Sequence, residues 1–149
     1  MRLIGFGFAL AVSALSASTA AVAQEPVPSA EDIILRLVNE SSSEKRDEWY
    51  KTIEGKRVVW VAPVFNVTEA FGLVIVNTRP VDRGLIGCNL PKRFEAAGKK
   101  ANKGDIVLCA GKIDNYERMM GTALVNVNAD DLVVGQQNID AWQKKRKSK

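Results

Sequence analysis

The chain has 149 residues, 21 Lys+Arg against 17 Asp+Glu, 46% hydrophobic residues, two cysteines and no histidine. Such a length suits one domain with a core of its own and leaves no room for a second full domain. Without histidine, Ser-His and Cys-His nucleophilic pairs and His-based zinc sites are excluded, and Cys88 and Cys109 are too few and too far apart for a closed zinc site or a C-x-x-C redox pair.

In chain order, the first segment is MRLIGFGFALAVSALSASTAAVAQEP, with one charge at Arg2, an apolar middle and small residues at Ala21 to Ala23. This is the layout of a secretory leader over residues 1–23, cut near Ala23, so a periplasmic or secreted protein is expected. The apolar part fades into Ser, Thr and Ala too early for the roughly 20 apolar residues of a stable span. Residues 24–143 then carry 15 basic against 17 acidic side chains, and five more basic residues crowd the final six positions. Basicity belongs to the tail, so the overall charge is a poor sign of a polyanion-gripping domain.

Residues 24–54 read as a helical segment with two short helices. In SAEDIILRLVNE, Ser29 is placed to cap, and Ile33, Ile34, Leu37 and Val38 make one apolar stripe. After the break at Ser41 to Ser43, SSEKRDEWYKTIEGK forms the second helix, closed by Gly55, with Trp49, Tyr50 and Ile53 as its docking face.

From Lys56 the period changes to two. KRVVWVAPVF, FGLVIVN, GLIGCNL, DIVLCAGKI and TALVNVNA read as five strands, and the polar stretch PKRFEAAGKKANKG between the third and fourth reads as a helix. Five strands with a helix in that place is the layout of an OB-fold barrel, here expected over residues 55–134; period and order alone leave a sandwich or an SH3-like barrel open. The fold class is therefore mainly β, a five-stranded barrel preceded by two short helices.

EGKRVVWVAPV and KGDIVLCAGKI resemble the first and fourth strands of exported bacterial OB-fold proteins of the tRNA_anti-like group, over Trp49 to Val134. Val58, Trp60, Ala62 and Val64 repeat the spacing of Val107, Cys109, Gly111 and Ile113. The resemblance implies a sharp strand bend at the third member, where Gly111 fits and Ala62 departs. It also directs attention to the strand 2–3 face and to loops one–two and four–five, where such barrels take ligands.

On that face Arg79, Arg83 and Lys92 supply positive charge, with Arg93 beside them, but strand three has no aromatic to stack a base. This favours a protein or an anionic envelope component over nucleic acid, and leaves oligonucleotide binding as the alternative. Loop one–two would present Phe65 and Phe71; loop four–five, NYERMMG, would present Tyr116, Arg118, Met119 and Met120, an adaptable contact set. Asp105, Asp130 and Asp131 suit turns and strand exits, so no catalytic residue, metal or cofactor is expected. Alternation points Cys88 and Cys109 inward, and an oxidising compartment favours a disulfide between them, with two separate buried thiols as the alternative. In residues 135–149, Ile139 and Trp142 stand at helical spacing for one docked turn. The positive block behind them is expected to stay solvated and unfolded, with peripheral contact to an anionic membrane as its functional reading.

Overall fold

The computed structural model describes residues 26–149, so the leader and its cleavage near Ala23 lie outside the described residues. The described elements are α1 (Ala30–Asn39), α2 (Ser43–Lys51), β1 (Arg57–Ala70), β2 (Leu73–Val81), β3 (Gly84–Leu90), α3 (Lys92–Lys99), β4 (Ile106–Met119), β5 (Thr122–Val134) and α4 (Gln136–Lys147). The strands close into one barrel in the order β1-β2-β3-β5-β4, with β4 returning to β1. β3 and β5 run parallel, and every other pair is antiparallel. That order, with a helix between β3 and β4, is the OB barrel.

Closure depends on strands long enough to serve two neighbours. β1 pairs with β4 over Arg57 to Pro63 and with β2 over Val64 to Ala70, and it changes partner at a bulge between Val64 and Asn66. β4 has bulges at Ala110/Gly111 and Ile113/Tyr116. At the first, a Cβ on Gly111 would meet the Asn128 carbonyl and lie 2.7 Å from the Ala129 Cα, so the crowded bend admits glycine. In β1 the break falls at Phe65 rather than at Ala62, which lies buried beside β4.

Inside the barrel, Val76, Ile86, Val107, Val125 and Val127 are buried. Cys88 of β3 and Cys109 of β4 sit at disulfide distance across this interior, their Cα atoms 6.4 Å apart on strands that share no ladder. The ends are closed by helices. α1, capped by the Ser29 hydroxyl accepting from the Asp32 amide at 3.1 Å, drives Ile33, Ile34 and Leu37 into one end. Gly84 at the start of β3 leaves room for Ile34 there, and Gly98 of α3 meets Leu90 and Val76 at the other end.

The C-terminal segment docks through Ile139 and Trp142 as their spacing implies, and departs from expectation in that the helix continues through the basic block. Residues 136–147 form a helix whose Ile139 is fully buried on Leu108 and Ala110, with the Trp142 Nε1 donating to Asp131 at 2.6 Å. Leu108 and Ala110 occupy outward positions of β4, so an apolar outer patch was waiting for cover. Docking there outweighs repulsion within the charge block, whose Lys144, Lys145, Arg146 and Lys147 remain exposed in the last turn.

Candidate functional site

Loops one–two and four–five prove far shorter than the sequence suggested. Bulged strands keep pairing past the expected ends, so Phe65 lies in β1, and Tyr116, Arg118 and Met119 lie in β4. Only Phe71-Gly72 and Met120-Gly121 remain as two-residue turns, with φ of 52° and 76° in the first and 48° and 76° in the second. Both residues of each turn have positive φ, as the twist of a tight hairpin requires. Bulky Phe71 and Met120 are costly occupants of a conformation that suits Asn or Gly, yet both are fully exposed.

The two tips lie toward opposite ends of β3. Arg83, in the β2–β3 turn, donates through Nε to the Gly121 carbonyl at 3.2 Å, so the Met120 tip sits by the Gly84 end. The Phe71 tip sits by the Leu90 end, where Val74 pairs with Leu90. Between them spreads the outer face of β2, β3 and β5.

This face carries neither a cationic nor an aromatic row but a set of amides. Asn66, Asn77, Gly87 and Asn126 stand in register across β1, β2, β3 and β5, and Asn115 of β4 completes the row. The Asn77 amide donates to Asn66 Oδ1 at 2.9 Å and to Thr68 Oγ1 at 3.3 Å; Asn126 donates to Asn115 Oδ1 at 2.7 Å. In the next row Asn89 donates to Asn128 Oδ1 at 3.2 Å. Gly87 is the floor: a Cβ there would lie 2.7 Å from Asn126 Oδ1 and 3.4 Å from Asn77 Oδ1, so both amides lean over bare backbone. The signal was legible as asparagine alternating with buried residues in strands two, three and five, for asparagine is disfavoured in strands.

Toward the Met120 tip the rows open into a cleft of 260 Å³, with Leu85, Leu124 and Met119 as apolar lining and Arg79, Asp82 and Glu117 as its charged members. The Arg79 guanidinium lies 3.9 Å from the centre of the Phe65 ring, and Lys103 Nζ approaches the same ring at 5.7 Å. Lys92 is exposed at the start of α3, and Arg93 donates to the Asp130 carbonyl at 2.6 Å.

Two expected contact residues are committed elsewhere. Tyr116 donates its hydroxyl to Asp47 and packs against Tyr50 with ring centres 4.6 Å apart, while Arg118 donates to the Val38 carbonyl at 3.0 Å at the end of α1. Both fasten the N-terminal helices to the barrel. Burial, reinforced by Glu54 and Asp114, raises the Tyr50 phenol well above its ordinary range; burial and the bond to Asp47 raise Tyr116. Among the described residues no cluster of three or more His, Cys, Asp or Glu side chains is placed to hold a metal.

No protein-family model matches the sequence, and no curated protein does. Among solved structures, the chain is similar to asparaginyl-tRNA synthetase from Pyrococcus horikoshii, at 22% identity over 56% of this chain and a TM-score of 0.45, spanning 20% of that chain. It is also similar to an OBody bound to hen egg-white lysozyme, at 14% identity over 76% of this chain and 96% of that one, with a TM-score of 0.48. A small single-stranded DNA-binding protein from Streptomyces coelicolor is similar at 13% identity over 56% of this chain and 96% of that one, with a TM-score of 0.37.

Proposed function

We propose that this protein is a non-catalytic OB-fold binding module, exported and cut near Ala23 to work in the periplasm or outside the cell. Its partner is a protein or cell-envelope component held across the outer face of β2, β3 and β5, between the Phe71 and Met120 tips. The observation that carries this reading is the pair of tips. Each places a bulky apolar side chain, fully exposed, in a left-handed conformation that costs free energy and returns no packing within the chain. Strain kept at both ends of one face is explained by a contact made there.

A photo-crosslinking side chain at position 71 or 120 in living cells tests it. Both positions are expected to capture the same component, and position 144 on α4 is expected not to. Separate partners for the two tips, or none, would remove the reading. Amino-terminal sequencing of the envelope fraction checks the export step. The basic end of α4 supports a weaker, peripheral contact with anionic phospholipid, worth about 1 kcal/mol per charge near the surface.

Oligonucleotide binding is the second reading, supported by Phe65 with Arg79 and Lys103 set against its ring. It requires single-strand binding that weakens steeply with salt and is lost on replacing Arg79, Arg83 and Lys92. No binding at low salt eliminates it.

A further inference from the structure

All six asparagines found in the strands, Asn66, Asn77, Asn89, Asn115, Asn126 and Asn128, project from one outer face. Chance is a poor account of this, because asparagine is depleted in strands and the outward positions would be filled more favourably by threonine or other β-branched residues. The rows themselves are uncharged amides, and charge enters at their β4 end, where Lys112 pairs with Asn128 and Arg57 pairs with Lys112, the Arg57 guanidinium being held by Asp130. A polyanion would find cations at that end alone, one of them already paired with Asp130, and a base would find no stacking ring within the rows.

We propose that these rows bind a neutral oligosaccharide lying across the strands. The proposal rests on the binding-module reading and names the chemistry of what the face holds. Each amide offers two N–H donors and an acceptor oxygen. The bonds within the rows leave the Asn77 and Asn126 oxygens gathered over Gly87, and they use the oxygens of Asn66 and Asn128 but not their amide hydrogens. Fixed, uncharged donors and acceptors side by side match sugar hydroxyls, which both give and accept. The Leu85 and Leu124 lining of the adjoining cleft matches the apolar C–H faces of a pyranose ring. Across five neighbouring strands the row is about 19 Å long, room for a chain of several sugars. Gly87 keeps the centre low, so a ligand can approach both amides at once.

The test uses the isotope-labelled protein as the cell exports it, with cellohexaose, maltohexaose and N-acetylated chitohexaose as probes, followed on the asparagine side-chain amide resonances. At about 10 mM sugar a site with Kd of about 1 mM approaches saturation, and at least one probe is expected to shift Asn77, Asn126 and Asn128 together. Asn77→Thr and Asn126→Thr should each weaken binding about fivefold, as for one lost hydrogen bond. Because threonine favours strands, both variants should melt no lower than the parent, which separates ligand recognition from a ladder that merely stabilises the sheet. Silence from all three sugars overturns the proposal, as does binding unchanged in both variants while their melting temperature falls. Salt-sensitive shifts of the same amides by an oligothymidylate, with no response to sugar, overturn it in favour of nucleic acid. Crosslinks from positions 71 and 120 without any sugar response would remove this inference alone and leave the binding module standing.

Discussion

The barrel has two flanks built on the same alternation and finished in opposite ways. On β4, the outward residues Leu108 and Ala110 are as deeply buried as the inward ones, because α4 lies over them. On β2, β3 and β5, the outward residues at corresponding depth are Asn77, Asn89 and Asn126, and no described element covers them. What an outward strand position holds therefore reports what lies against it. Apolar residues there announce a helix supplied by the same chain, and a row of amides announces a polar surface left open. The contrast also separates stability from binding: the covered flank contributes to the core, while the open flank gives up strand propensity.

Exchanging residue types between the flanks breaks the comparison most sharply. Leu108→Asn puts the open flank's residue beneath α4, leaves a void beside Ile139 and buries an unpaired amide, so a loss of about 3 to 5 kcal/mol is expected. Urea unfolding should show it, and a loss under about 1 kcal/mol would mean that α4 is not part of the cooperative unit.

The next effect concerns the link between the flanks, since Cys88 belongs to the open side and Cys109 to the covered one. Unreduced, denatured protein is expected to show no free thiol, and Cys88→Ala/Cys109→Ala to lower stability by about 2 to 4 kcal/mol. Two titratable thiols would make the pair ordinary core packing.

The reverse exchange, Asn126→Val, should raise stability by about 0.5 kcal/mol, because the open flank gains strand propensity and loses only exposed amide contacts. A marked destabilisation would show that the amide row is itself structural.

The smallest effect lies at Arg57 and Asp130, where the guanidinium grips the carboxylate at 2.8 and 3.0 Å. The hydrogen bond to Arg57 holds Asp130 below the ordinary carboxylate range, so the folded state favours its ionised form. The contribution is complete above the unfolded carboxylate value of about 3.9 and is lost as the pH falls through the lower folded value. Both side chains are more than a third exposed, at 37% and 46%, so the loss should be under about 1 kcal/mol. Comparing acid unfolding of the parent with that of Arg57→Gln measures it.

Much of the molecule was legible beforehand. The limits of strand three are the same in sequence and structure, since Gly84 and Leu90 bound an alternating run with clear turns on either side. The inward direction of Cys88 and Cys109 followed from the same alternation. Loops one–two and four–five are shorter than their sequence implies, because polar stretches such as Asn115 to Arg118 look like loops, whereas bulges let a strand carry them and go on pairing. The asparagine face is not legible in the same way, because its members come from five strands and only their register brings them together.

The sequence by itself determined the number and order of the strands, the apolar interior and the helix between strands three and four. These are consequences of local period and of turn-forming residues. Tertiary structure decided what no local pattern contains: that β4 returns to β1, that two distant cysteines meet, that α4 folds over Leu108, and that six asparagines scattered along the chain share one face. Each of these depends on register between strands far apart in sequence, and register is settled only when the whole barrel closes around its core.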